Sequence, residues 1–378
     1  MDKNEKYDVG IVGGGLAGLS LSILMAKQGY KTILFEKEKY PFHKVCGEYI
    51  SMESWGFLER LGINLKDKNL PKINKLRVTS LRGKKMEADI SPGGFGISRY
   101  VLDHELSIIA KSFGVKVLEE TKVDSVEYEG NQYNIRSASG LVQSHICIGS
   151  FGKRSNLDIK WEREFVKTKA SKLNNYVGIK YHIEAELEDD LISLHNFKGG
   201  YCGVSKIEGN KYTLCYLTTA QNLKNAGSIE NLEKDILFEN AELKKIFSSC
   251  KKSPGFPVTI SQISFDKKNQ IDHEVIMNGD AAGMITPLCG NGMSMALHSS
   301  KILSELLHEF FLQNLTFDSM CNMYSKKWTA LFGKRLKVGR LVQQFLGRDL
   351  ITSMLINILN AFPSLSRMVV RSTHGEPF

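Results

Sequence analysis

The stretch "YDVGIVGGGLAGLSLSILMAKQGYKTILFEK", residues 7–37, decides the fold. It carries Gly13, Gly15 and Gly18 in the spacing G-x-G-x-x-G, with Gly14, Leu16 and Ala17 between them. Tyr7 to Val12 reads as a short buried strand, because Val9, Ile11 and Val12 are apolar. Leu16 to Gln28 reads as a helix whose small and apolar residues face back onto a sheet, and Gly29 ends it. Lys31 to Phe35 reads as a second strand, with Glu36 and then Lys37 at its carboxyl end. That is a strand–turn–helix–strand unit with an acid at the distance a dinucleotide site needs. Gly13 permits the tight turn, Gly15 lets the backbone approach a pyrophosphate, and Gly18 lets helix and strand pack closely. The free N–H groups at the helix start face phosphates, and Glu36 is placed to accept from ribose hydroxyls.

The rest of the chain sets the bounds. Its 378 residues allow two domains or one elaborated one, and 42% hydrophobic residues allow a sizeable core. The net charge is +9, but the excess Lys and Arg is scattered. With no basic block, nucleic-acid motif or zinc spacing, this reads as a solvated basic surface, and neither nucleic acid nor metal is expected. Seven cysteines, at 46, 147, 202, 215, 250, 289 and 321, include no C-x-x-C. That suits reduced cytoplasmic thiols. The polar start "MDKNEK" does not read as a signal peptide, and no stretch is apolar for long enough to span a bilayer.

Residues 52–61 and 99–114 read as helices. Residues 75–81, 84–89 and 94–98 read as strands, and 115–150 as a meander with turns at Gly130-Asn131 and Ser139-Gly140. Residues 173–219 alternate like a separate sheet; two short helices, a strand at 258–264 and a long helix from Gly292 follow. The second decisive stretch is "EVIMNGDAAGMITPLCGNGMSMALHSSKIL", residues 274–303. It gives a strand, then Gly279-Asp280, then Pro287, then Gly290-Asn291-Gly292 opening a helix at Met293.

With these two motifs the chain resembles the FAD-dependent monooxygenase and geranylgeranyl-reductase clan, which includes para-hydroxybenzoate hydroxylase and the flavin-dependent halogenases. The resemblance implies an α/β fold: a Rossmann-like FAD-binding domain with parallel sheet and β-meander, interleaved with a mainly β substrate domain and followed by a helical segment. The implied division is 1–72, 99–158 and 273–330 for FAD; 73–98 and 159–272 for substrate; 331–378 as helical cover. It implies non-covalent FAD, with Asp280 (after Gly279) on a cofactor hydroxyl, and with Pro287, Gly290, Asn291, Gly292 and Met293 at the flavin. A helix N-terminus there stabilises the negative charge of reduced flavin.

"PFHKVCGEYIS", residues 41–51, looks like the flavin-lining segment of the reductase branch, which brings in Lys44, Cys46 and Gly47. "ISRYVLDHEL", residues 97–106, resembles the helix whose arginine, here Arg99, approaches the phosphates. Val123 matches the backbone position that meets adenine. "CIGSFGKRSNL" keeps Gly152, Arg154 and Ser155 but lacks the hydroxylases' Asp-Gly pair, and the halogenase G-W-x-W-x-I-P is absent. "KGGYCGVSKIEG" keeps Gly199, Gly200 and Tyr201 of the reductases' second-sheet segment and replaces its tryptophan and Phe-Pro.

The expected activity is that of an FAD-dependent oxidoreductase. Monooxygenation of an apolar aromatic, polyketide or lipid-like small molecule is favoured over alkene reduction, and an electron-transfer flavoprotein serving a protein or quinone is the third reading. With no second G-x-G-x-x-G, NAD(P)H would visit only transiently. Cys46 is the candidate catalytic group, as proton donor or substrate contact, against the bland reading of a small buried residue; His43 is a neighbouring acid or base. The amphipathic stretch 334–378 reads as core cover, as a lid over a greasy substrate, or as a membrane-surface element, so the expected location is cytoplasmic with a peripheral membrane contact as one alternative.

Overall fold

The computed structural model describes residues 5–167, 175–286, 290–345, 347–362, 364–365, 368–369 and 375–378. In chain order the elements are β1 (Lys6–Val12), α1 (Leu16–Lys27), β2 (Thr32–Phe35), β3 (Tyr49–Ser51), α2 (Trp55–Leu61), β4 (Lys72–Thr79), β5 (Lys85–Gly96) and α3 (Arg99–Ser112). Then come β6 (Lys116–Leu118), β7 (Val123–Glu129), β8 (Gln132–Ser137), β9 (Gly140–Gly149), α4 (Asn156–Lys160) and α5 (Glu164–Lys167). β10 (Tyr176–Glu184), β11 (Leu191–Phe197), β12 (Gly200–Lys206) and β13 (Tyr212–Thr219) lead to α6 (Ala220–Ala226), α7 (Ile229–Asp235) and α8 (Ala241–Ser249). The chain continues with β14 (Lys251–Lys252), β15 (Val258–Ile263), β16 (Ile271–Asp272), β17 (Val275–Met277), α9 (Gly292–Phe311), α10 (Phe317–Phe345) and α11 (Asp349–Ala361).

Two sheets carry the architecture. The first runs β16-β17-β9-β1-β2-β6, with β7 and β8 forming the meander beside β9. β1 pairs in parallel with both β2 and β9, which makes it a central strand, and Val9 and Ile11 are fully buried. α1 packs against α3 and α9 as well as this sheet. A helix enclosed on so many sides needs apolar and small residues all round, and Ser20 and Ser22 fit because each hydroxyl bonds back to its own helix, Ser22 to the Leu19 carbonyl at 2.8 Å. The second sheet runs β14-β10-β13-β12-β11-β4-β5-β3, with β15 also on β10. It is mostly antiparallel, and β4 beside β11 is parallel. The result is a Rossmann-like unit interleaved with a β-rich one and followed by helices.

Several local expectations change. The strands expected at 84–89 and 94–98 are one strand, β5, which ends at Gly96. The pairing with β4 jumps from Ile73↔Gly94 to Lys75↔Asp89, and Gly93 takes a φ of +80° inside this bulge. Ser91, Pro92 and Gly93 read as a break in sequence, yet a bulge absorbs them without ending the strand. β3, from the segment assigned to the first unit, pairs with β5 in the second sheet. Three helices, not two, follow β13; Ser228 caps α7 and Asn240 caps α8 through their side chains. α10 runs unbroken across residue 331, where the helical cover is expected to begin.

Candidate flavin site

A cavity of about 1060 Å³ runs from the start of α1 to the face of the second sheet. At its first end Gly13 takes a φ of +108°, and a Cβ there would lie 2.4 Å from the Ser150 carbonyl oxygen. Gly18 packs so closely that a Cβ would lie 2.0 Å from the Gly13 carbonyl oxygen. Gly15 differs: it opens α1, lines the cavity, and has the Arg99 Nη2 and Lys44 Nζ as its nearest neighbours, at 3.5 and 3.8 Å from a built Cβ. No side chain caps α1 and no acid stands in its first turn. An uncapped helix N-terminus faced by two cations is suited to a pyrophosphate.

The cations are themselves fixed. Arg99 forks onto Asp103 at 2.7 Å through both Nε and Nη2, and Lys44 lies 3.1 Å from the same carboxylate. Burial works against the Asp103 charge, but Arg99 and Lys44 outweigh it and hold the carboxyl below its usual range. Glu36 lines the cavity, but its carboxylate also accepts from the Gly14 and Glu38 amides, at 3.0 and 3.1 Å. It therefore shapes the glycine loop as well as facing the cavity. Gly14 points inward, where the Tyr40 hydroxyl donates to its carbonyl.

Lys37, Thr121, Lys122 and Val123 line the same end of the wall. The Val123 carbonyl accepts from Asn156 Nδ2 at 3.1 Å. Arg154 and Ser155 line the cavity too, and Ser155 is the N-cap of α4, in a reciprocal capping box with Asp158.

At the other end, Cys46, Gly47, Tyr49, Asp280, Gly292 and Met293 meet. Gly290 takes a φ of +64° and lies against the Tyr49 ring. α9 starts at Gly292 with no side-chain cap and no acid in its first turn, so a second helix N-terminus opens on the cavity. Asn278 ties this end to the first: Oδ1 accepts from the Gly279 amide at 3.0 Å and Ser299 Oγ at 2.7 Å, while Nδ2 donates to the Ala17 carbonyl at 3.2 Å. Gly279 (φ +63°) makes the turn behind Asp280 and does not itself line the main cavity. Gly14, Gly18 and Asn291 are likewise packed behind the wall, and Pro287 lies outside the described residues.

Three features were not anticipated. Lys268, buried, donates to the carbonyls of Lys153 at 3.0 Å and Asp280 at 2.9 Å. Burial pushes its ammonium down to about 8, against the pull of Asp158 and Asp280. Glu48, two residues after Cys46, is fully buried at a φ of +53°. It accepts from Lys180, from the Arg99 amide at 2.8 Å and from His182 Nε2 at 2.6 Å, and its own amide lies 3.5 Å from Cys46 Sγ. Lys180 and His182, two apart on β10, share one face of the strand. Their partner lies over 130 residues away, so no local pattern announces them.

His43 lines the cavity, stacks on Tyr100 at 4.6 Å and meets the His182 ring edge-on at 5.0 Å. Burial first, then His182 and Lys180, push it down to about 4. The third unforeseen feature is the make-up of the far wall, which is mainly apolar: Leu194, Leu217, Ile260, Ile263 and Met284 stand with Tyr201, and Thr259, Ser261 and Gln262 add polar groups.

The residues present fit FAD. The two N-termini would take the pyrophosphate and the electron-rich edge of the flavin, and the bare Gly15 leaves room for the phosphates.

Comparison with known proteins agrees. An "FAD binding domain" family model matches residues 6–146, and a squalene epoxidase model matches residues 232–340. A digeranylgeranylglycerophospholipid reductase of Methanocaldococcus jannaschii is 26% identical, covering 86% of this chain and 83% of its own length. The conditioned medium factor receptor 1 of Dictyostelium discoideum is 23% identical, covering 92% of this chain and 72% of its own. The solved geranylgeranyl bacteriochlorophyll reductase-like protein of Thermoplasma acidophilum superposes with a TM-score of 0.80 at 20% identity, over 99% of this chain and 97% of its own. Among the described residues no helix is long and apolar enough to cross a membrane. With both fingerprints at the ends of one cavity, this chain carries an FAD-binding domain and is similar to FAD-dependent oxidoreductases, the geranylgeranyl reductases among them.

Proposed function

We propose that the protein reduces a carbon–carbon double bond in an apolar, lipid-like substrate. The observation that carries this reading is the place of Cys46: a half-buried thiol in the cavity wall, on the loop that shares the flavin end with the start of α9. FAD, when bound there, supplies a hydride donor that an external reductant such as NAD(P)H recharges. Saturating a double bond takes one hydride and one proton. Cys46 would give the proton to one carbon as the hydride reaches the other. The thiolate left behind is met by the Glu48 amide, 3.5 Å from the sulfur, and by the positive charge of Arg99, and water returns the proton.

The apolar second-sheet wall would hold the substrate and keep water from the flavin end, which supports an enzyme over a pure electron carrier. Reductase relatives aligned over most of the chain support the same outlet. Oxygen insertion, which the sequence favours, is the second reading; the squalene epoxidase match over residues 232–340 supports it.

The test is anaerobic turnover of a polyprenyl substrate with dithionite as reductant. Saturated product is expected, and Cys46→Ser should slow it by about a hundredfold at unchanged FAD content. Labelled oxygen in the product, with no saturation under anaerobic conditions, would overturn the reductase reading. Unchanged Cys46→Ser turnover would remove the thiol from it.

A further inference from the structure

α11, "DLITSMLINILNA", carries no charged residue after Asp349, yet it lies on the surface. Leu350 is 75% exposed, Met354 63%, and Phe362 just beyond the helix 61%. Leu350, Met354, Asn357 and Ala361 follow one another at spacings of four and three, so they form a single stripe, and all four are exposed. A helix exposed to water alone would carry charge on this stripe.

Cations edge it instead. Lys84 Nζ donates to Asn357 Oδ1 at 3.2 Å, and Asn360 donates to the Lys85 carbonyl at 2.9 Å. Arg82, Lys84, Lys85 and Arg348 are all exposed. The helix is seated on β5 and β11, and β11 supplies Ile192 and Leu194 to the cavity wall.

We propose that α11 and its basic edge dock this protein on an anionic lipid bilayer. The exposed apolar side chains of Leu350, Met354 and Phe362 enter the acyl boundary, while Lys84, Lys85 and Arg348 meet the headgroups. The charge complementarity selects an anionic bilayer over a neutral one, and over a second copy of this chain, which would set these cations against each other. The surface lies against the sheet that lines the cavity, so a docked protein would hold that sheet beside a store of apolar substrate. The inference stands whichever reaction the cavity performs.

The test is co-sedimentation of the full chain, loaded with FAD, with phosphatidylcholine vesicles containing or lacking phosphatidylglycerol. Pelleting is expected only with the anionic vesicles and should weaken as salt rises. Leu350→Ser with Met354→Ser should lower the bound fraction at least fivefold, and Lys84→Glu with Lys85→Glu should do so by about fivefold per charge removed. These side chains are exposed, so FAD content and melting temperature should stay at wild-type values. Absence of vesicle-dependent pelleting would overturn the proposal, as would pelleting that neither double variant reduces. It would fall equally if wild type were a dimer that failed to pellet and Leu350→Ser with Met354→Ser made it a monomer, since the stripe would then be a self-interface.

Discussion

Glu48 Oε2 lies 2.6 Å from His182 Nε2, and the other oxygen of the same carboxylate takes the Lys180 ammonium, with none of the three reached appreciably by solvent. A buried carboxylate of this kind holds three elements at once: the Cys46 loop, β10 and, through the Arg99 amide, the start of α3. Glu48→Gln keeps the shape and leaves the buried Lys180 charge without its counter-ion. Breaking one side of a buried pair costs about 3–5 kcal/mol. A loss of that size is expected in urea unfolding at pH 7. Burial opposes the Glu48 charge, but Lys180 and His182 hold its carboxyl below the usual value, so its contribution is present above the unfolded pKa and lost as pH falls through the folded one. The difference between wild type and Glu48→Gln should therefore shrink below about pH 4.

Acid should weaken the fold for a second reason. Burial is the largest cause pushing His43, His195 and His298 down to about 4. Between pH 6.5 and 4 the unfolded chain binds protons at these positions that the folded chain does not, so stability is full above pH 6.5 and falls as pH drops through that window. Each such proton contributes up to about 1.4 kcal/mol per pH unit. His195→Gln, at the most buried of the three, should flatten the slope by about one proton, as read from urea midpoints at several pH values.

The cofactor prediction rests on Gly15. A valine there fits the backbone, whose φ is −84°, but fills the space between the α1 N-terminus and the two cations. Gly15→Val should purify colourless with an apo-protein melting curve close to wild type. Wild type should be yellow and release FAD on acid treatment, since no covalent link is expected; retention of flavin after denaturation would contradict this.

Asp280 lines the flavin end of the cavity, with its backbone carbonyl held by Lys268. If its carboxylate accepts from a cofactor hydroxyl, Asp280→Ala should lower FAD affinity about ten- to hundredfold. Fluorescence titration of apo-protein with FAD measures it. An unchanged dissociation constant would remove Asp280 from the binding set.

The sequence by itself determined the two ends of the site. Gly13, Gly15 and Gly18 specify a turn, an open helix start and a close packing through backbone sterics alone, and the apolar runs on either side supply strand and helix; all of this is local and period-readable. Gly279-Asp280 and the Gly290–Gly292 helix start are legible for the same reason. Only the tertiary structure decided what lies between. Lys180, His182 and Lys268 look in sequence like ordinary strand and loop residues; a charge is buried or solvated according to which distant partner reaches it. Tyr40, Asn156 and Asn278 were silent for the same reason: each closes a backbone group far along the chain. The membership of β3 in the second sheet and the bulge that keeps β5 whole were also decided there, because strand pairing is a contact between segments and a bulge is defined only by its partner's register.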